Sequence, residues 1–183
     1  SLLLNMVIIK TQDEIEKMRI SGELTARTLN HITPHVKPGV TTNEINDLAH
    51  KFIVDKLDSY PASLGYRGFP KSLCTSVNHV ICHGIPGDKK LKKGDIVNVD
   101  IVVEKNGFHG DSSKMFCVGE CSILANRLIK ITQECLYLGI KMVKPGVRLG
   151  DIGHAISKYA HSNKFSVVRE YCGHGVGASM HEE

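Results

Sequence analysis

Two aspartates, Asp100 and Asp111, flank an Asn106-Gly107 pair in a stretch rich in β-branched residues. Asn-Gly between alternating apolar runs is the strongest short signal for a two-residue hairpin, because both turn positions need positive φ. With that pair as the loop, Lys105 faces Phe108 and, counting outwards, Val102 faces Asp111. Asp100 lies two residues from Val102 and so shares the face of Asp111, which makes the acids diagonal neighbours at roughly 7–8 Å. Val99, Ile101, Val102 and Val103 surround them. Two carboxylates in an apolar setting repel and are poorly solvated unless a cation or a shared proton compensates. The plainer alternative is that one of them is an ordinary strand acid facing solvent.

Three histidines have the surroundings to join that chemistry. His174 stands in Cys172-Gly173-His174-Gly175-Val176-Gly177, where glycines leave the imidazole unshielded and allow close backbone approach. The run is too polar and glycine-rich for a histidine packed among aliphatics, although a surface-loop histidine fits it equally. His83 occupies a similar Cys-His-Gly-Ile-Pro setting, and His181 opens the tail His181-Glu182-Glu183. His31, His35, His50, His154 and His161 fall on helices or turns and carry no chemical expectation.

The elements that position these groups come from a duplicated segment. Residues 36–53 read VKPGVTTNEINDLAHKFI and residues 143–160 read VKPGVRLGDIGHAISKYA. Both have VKPGV, then an acid (Glu44, Asp151), then isoleucine (Ile45, Ile152), and later a lysine followed by an aromatic residue. A period this long is no solenoid repeat and points to a duplicated half-domain. Before the first copy, Thr11-Gln-Asp-Glu14 is a capping box opening a helix with Ile15, Met18, Gly22, Thr25, Leu29 and Ile32 on its inner face. Pro34 and Pro38 end it. Before the second copy, Ile123, Leu128, Ile131, Cys135, Leu138 and Met142 mark a matching helix ahead of Pro145. After the first VKPGV, Thr41 and Glu44 cap a helix that buries Ile45, Leu48, Ala49, Phe52 and Ile53. Both halves therefore read helix, turn, helix, then strands, with the hairpin of Ile96–Val103 and Phe108–Val118 closing the first. A counterpart to that hairpin is expected in the second half and does not occur before Glu183.

Composition bounds the class. A chain of 183 residues that is 42% hydrophobic can bury a core, and 23% charged residues of both signs argue against disorder. The net charge is +4, and the one dense basic cluster, Lys89, Lys90, Lys92 and Lys93, sits beside turn residues and reads as a solvated loop. No tryptophan and 5% aromatics leave few platforms for stacking nucleic-acid bases. The six cysteines form no CxxC pair, so zinc-finger spacing is absent and reduced thiols are expected. The opening run Leu2–Ile9 is broken by Asn5 and reads as neither signal peptide nor membrane span; residues 1–8 read as an N-terminal extension or cloning remnant.

Five blocks in order resemble the bacterial, type I methionine aminopeptidases: Thr75-Ser76-Val77-Asn78, Cys82-His83-Gly84-Ile85-Pro86, Gly94 to Asp100, Phe108-His109-Gly110-Asp111, and Arg169 to Gly175. The resemblance runs from about Ile9 to Glu183. It implies an α+β pita-bread fold of pseudo-twofold duplicated halves, helices packed on an antiparallel sheet, with the second half incomplete. It also implies one metallopeptidase domain over 9–183, its halves about 9–119 and 120–183. The expected activity is removal of the initiator methionine from nascent proteins by two-metal hydrolysis. By the resemblance, Asp100, Asp111 and His174 ligate two divalent ions (Mn, Fe, Co or Zn). His83 contacts substrate near the scissile bond, and His181 helps stabilise the tetrahedral intermediate. Tyr66, Phe69, Cys74 and Met180 wall the methionine pocket with Ser63 beside them; Phe69 and Met180 stand where aromatic residues are common. The implied partners are Met-peptides and nascent chains, with ribosome association, no DNA, no membrane, a cytoplasmic location and a monomeric state. Two further glutamate ligands of the family fall beyond Glu183, and Glu182 and Glu183 match positions that do not ligate. Three ligands of five predict weak or no turnover from these residues alone. A catalytically inactive binding module that docks on nascent chains or ribosomes is the second reading. A related pita-bread enzyme that cleaves before proline or acts on creatine-like substrates is disfavoured, because such enzymes usually carry a large N-terminal domain and the first helix here starts at Thr11.

Overall fold

The computed structural model describes residues 7–183, so the reading of Ser1–Met6 lies outside the described residues. The chain divides into a first unit, running to Glu120 and including His174–Glu183, and a second unit of Cys121–Gly173.

In the first unit, helix α1 (Gln12–Ile32) starts at the expected capping box. The Glu14 amide donates to the Thr11 hydroxyl at 3.2 Å, and the Thr11 amide donates to the Glu14 carboxylate at 3.0 Å. These bonds satisfy two of the N–H groups that a helix start leaves open. Helix α2 (Thr42–Lys51) repeats the device with Thr41 and Glu44 and runs on into a π-helical turn over Phe52–Lys56. The sheet is antiparallel, with β3 (Ile96–Lys105) at its centre. It pairs with β1 (Tyr60–Pro61), β2 (Cys74–Val77) and β4 (Phe108–Cys117). Lys105 faces Phe108 and Val102 faces Asp111, as the hairpin count requires. Asn106 and Gly107 take φ of 54° and 81°, the conformation that makes Asn-Gly the favoured loop.

Alternation along β3 sorts its two faces. Val97, Val99, Ile101 and Val103 are completely buried and form the core with Leu24, Leu29 and Ile32 of α1 and Ile45, Ala49 and Ile53 after the first repeat. Asp100 and Val102 take the opposite face. The buried side of α1 departs from expectation: Ser21, Leu24 and Thr28 are buried, whereas Ile15 is 38% exposed. The reason is a close crossing over β4. Ser21 Oγ donates to Phe108 O at 2.8 Å, and Thr25 Oγ1 lies 3.0 Å from Gly110 O. A Cβ at Gly110 would overlap the Ser21 backbone. Small hydroxyl residues let the helix backbone approach and satisfy carbonyls that a larger apolar side chain would leave open.

The second unit contains α3 (Ile123–Met142) and α4 (Leu149–Ser162). Asp151 accepts from the Arg148 amide at 3.0 Å, as Glu44 does from Thr41. Gly146 (φ 88°) adopts the left-handed conformation of Gly39 (φ 93°), so the two VKPGV turns are alike in shape as well as in sequence. Ile131, Cys135 and Ala160 are the unit's buried apolar centre. Ile123 and Leu128, expected on the inner face of α3, are exposed. Cys74, Cys82, Cys135 and Cys172 are free thiols as expected. Cys117 and Cys121 are disulfide-bonded, contrary to that expectation; the loop that leaves β4 turns at Gly119, with φ of 67°. Among the described residues, no helix is long and apolar enough to cross a membrane.

Candidate active site

The polar face of the β3–β4 hairpin forms the floor of the site. Asp100 and Asp111 approach across the strands, near enough for their carboxyl groups to act on each other. Burial, then the charge of Asp111, pushes the Asp100 carboxyl up to about 7, while His174 opposes the shift. Two carboxylates share this partly buried floor and cannot both ionise freely.

His174 arrives from the Gly-rich segment of the same unit. Its Nδ1 lies 2.8 Å from Gly175 O, so that nitrogen is the donor, and Nε2 faces Asp111 Oδ2 at 3.4 Å. A neutral ring in this tautomer aims its Nε2 lone pair at a carboxylate oxygen, which is repulsive without a proton or cation between them. Among the described residues, no group of three or more His, Cys, Asp or Glu side chains is arranged to hold a metal ion by itself. The donors nevertheless suit a divalent ion as a partial set, with two oxygens and one nitrogen on a floor that disfavours uncompensated charge.

Around this floor lies a cleft of about 610 Å³. Ser63, Tyr66, Phe69, Cys74, His83, Asp100, Asp111, His174, Met180 and His181 all line it, so every expected site residue is brought together. Cys74 faces Asp100 across β2–β3, and burial, then the Asp100 charge, pushes its thiol up to about 12. His83 holds a left-handed φ of 57°, which costs a non-glycine residue about 1–3 kcal/mol and persists only where the surroundings hold it. The hold is next door: Gly84 N donates to Ser76 Oγ at 3.1 Å, and a Cβ at Gly84 would overlap the Thr75 carbonyl.

His181 Nδ1 lies 2.9 Å from the Tyr66 hydroxyl, and its ring centroid is 4.3 Å from that of His174. Partial burial, then the neighbouring His174, lowers the pKa of His181, which favours the neutral ring at neutral pH. Arg67, Gly68, Pro70, Ile85 and Val102 also line the cleft and were not expected there. Val102 could have been read from its place two residues after Asp100. Arg67 could not, because its left-handed backbone (φ 47°) and its stacking over the Tyr66 ring at 5.4 Å leave no sequence signature.

Residues 16–183 match metallopeptidase family M24. The chain belongs to that family. The M24 chain is 58% identical over 178 residues to the methionine aminopeptidase of Salmonella typhimurium, covering 97% of this chain and 67% of that protein. The crystal structure of methionine aminopeptidase from Rickettsia prowazekii superposes with a TM-score of 0.95 at 53% identity, over 97% of this chain and 71% of that one. An X-Pro aminopeptidase from Thermotoga maritima matches at 21% identity with a TM-score of 0.78, a likeness of fold alone. The M24 chain thus has helices packed on an antiparallel sheet in the pita-bread manner and spans about two thirds of its curated relatives.

Proposed function

We propose that this chain carries the methionine-recognising and metal-holding part of an aminopeptidase that removes the initiator methionine. The observation that supports it most is the convergence of Asp100, Asp111 and His174 at the floor of a cleft with an apolar wall. In this reading those three side chains hold a pair of divalent ions, of Mn, Fe, Co or Zn. Such ions supply Lewis acidity and lower the pKa of bound water. Ser63, Tyr66, Phe69, Cys74 and Met180 receive the methionine side chain. At a pKa of about 12, Cys74 serves as a neutral apolar wall. His83 is held beside the scissile bond, and His181, oriented by the Tyr66 hydroxyl, presents its neutral ring to the developing oxyanion. The finer reading is a cytoplasmic monomer, a single metallopeptidase domain over 9–183, acting on nascent chains in association with the ribosome.

The test supplies a Met-Ala-Ser peptide and Mn or Co and measures methionine released with and without chelator. Chelator-sensitive release that Asp111→Ala abolishes supports the reading, even where turnover is weak. Absence of release is what three ligands of five predict and leaves the family membership standing. Folded protein that also fails to bind Mn or Co in calorimetry overturns the reading and favours a non-catalytic binding module. The retained Asp-Asp-His group argues against that second reading, since a scaffold without chemistry has no use for an electrostatically costly floor.

A further inference from the structure

The segment that carries His174, Met180 and His181 is folded back on itself and bolted from outside. Gly175 and Glu182 exchange backbone hydrogen bonds at 2.9 and 2.7 Å, and Gly177 N donates to Ser179 O at 3.0 Å. The His109 amide and His109 Nδ1 both reach Gly177 O at 2.9 Å, which fastens the loop to β4. The bolt is Lys10, the residue just before the α1 cap. Its Nζ lies 2.5 Å from Glu182 Oε2 and 3.0 Å from Ile8 O. The other Glu182 oxygen accepts from Ser179 N at 3.3 Å. The Lys10 and Glu182 side chains are only 14% and 11% exposed. Gly177 lies directly beneath them: a Cβ there would stand 2.6 Å from Lys10 Cε and 2.7 Å from Glu182 Oε1.

An ion pair this sheltered is unlike a solvated surface pair. Removing one partner leaves the other desolvated and uncompensated, so it must turn out to water and give up its remaining bonds. For Glu182 that bond is the one to Ser179 N, inside the bracket that sets where Met180 and His181 emerge. Met180 is 8% exposed and His181 meets Tyr66, so both depend on the register of this short loop.

We propose that Lys10 is a positioning residue for the cleft: through Glu182 it fixes the register of Gly175–Glu182, and so the placement of the Met180 wall and the His181 ring. The effect on methionine selection rests on the aminopeptidase reading; the effect on register does not.

The test compares Lys10→Met, which keeps the stem and removes the charge, with Glu182→Gln, Lys10→Arg and the double variant. Met methyl and His ring resonances are followed by NMR in the metal-free protein. Lys10→Met and Glu182→Gln are expected to shift the Met180 methyl and His181 ring signals alike, leaving those of His31 and His50 in place. Lys10→Arg restores the wild-type positions, and the double variant is no worse than either single one. Where methionine release is measurable, KM rises about tenfold for Lys10→Met with a smaller change in kcat, as a misplaced binding wall requires. Unmoved Met180 and His181 signals in both folded single variants overturn the proposal, as do shifts that simply add in the double variant. Failure of the folded protein to bind Mn or Co would count against the aminopeptidase reading alone, because the resonances decide the Lys10 proposal separately.

Discussion

Asp100 and Cys74 show how one burial acts on two groups of different use. They face each other across β2–β3; burial raises both groups, and the Asp100 charge further disfavours the Cys74 thiolate. The carboxyl, at about 7, is poised to ionise when a cation arrives, whereas the thiol at about 12 is not. Alkylation proceeds through the thiolate, and at pH 8 Cys74 stays almost wholly the neutral thiol. Iodoacetamide at pH 8 is therefore expected to label the exposed Cys172 well before Cys74, as read by peptide mass spectrometry. Early labelling of Cys74 would mean that the cleft wall is wetter and more open than described. At the same scale, Asp111→Ala removes the group that both Asp100 and His174 face, and Mn binding measured by calorimetry is expected to weaken at least about tenfold.

Helices and strands hold these groups through two kinds of local device. The capping boxes of α1 and α2 set where each helix begins, and Thr41→Ala is expected to cost about 1 kcal/mol in denaturant unfolding. The crossing of α1 over β4 is the more demanding device. Gly110 stands one residue before Asp111 and under the Ser21 backbone, so Gly110→Ala must push helix and strand apart. A cost of about 2–4 kcal/mol is expected, read as a lower denaturation midpoint with an unchanged slope. A loss below about 0.5 kcal/mol would show that the helix can lift without penalty.

Across the whole molecule, apolar burial is uneven. Among the described residues, sixteen buried apolar residues make the main core of the first unit, against three in the second. Ile123, Leu136, Tyr137, Ile140, Val143 and Leu149 are all more than half exposed. Local opening follows the density of buried contacts, so amides of α3 and α4 are expected to exchange hydrogen faster than those of β3 and β4. Hydrogen-exchange mass spectrometry reads this directly, and equal protection in the two units would contradict it. Exposed apolar residues in one unit also favour self-association. Leu136→Lys and Ile140→Lys together are expected to raise the concentration at which the protein stays monomeric in sedimentation, with little change in thermal stability.

Much of this was legible in the residues themselves, and the rest was not, for a physical reason. The hairpin register, the shared face of Asp100 and Asp111, the capping boxes at Thr11 and Thr41 and the duplicated VKPGV turn depend on neighbours a few residues apart. Local sterics and hydrogen bonding determine them, so the sequence alone could state them. The resemblance to a known family supplied the roster of cleft residues, and the fold gathers every one of them around a single floor. Tertiary structure alone decided which side of α1 is buried, because the approach at Gly110 is set by a strand some eighty residues away. It alone placed Arg67 over Tyr66 and brought Lys10 to Glu182, 172 residues further along the chain. Contacts between distant segments leave no local period or spacing. They exist only once the packed core has brought those segments together.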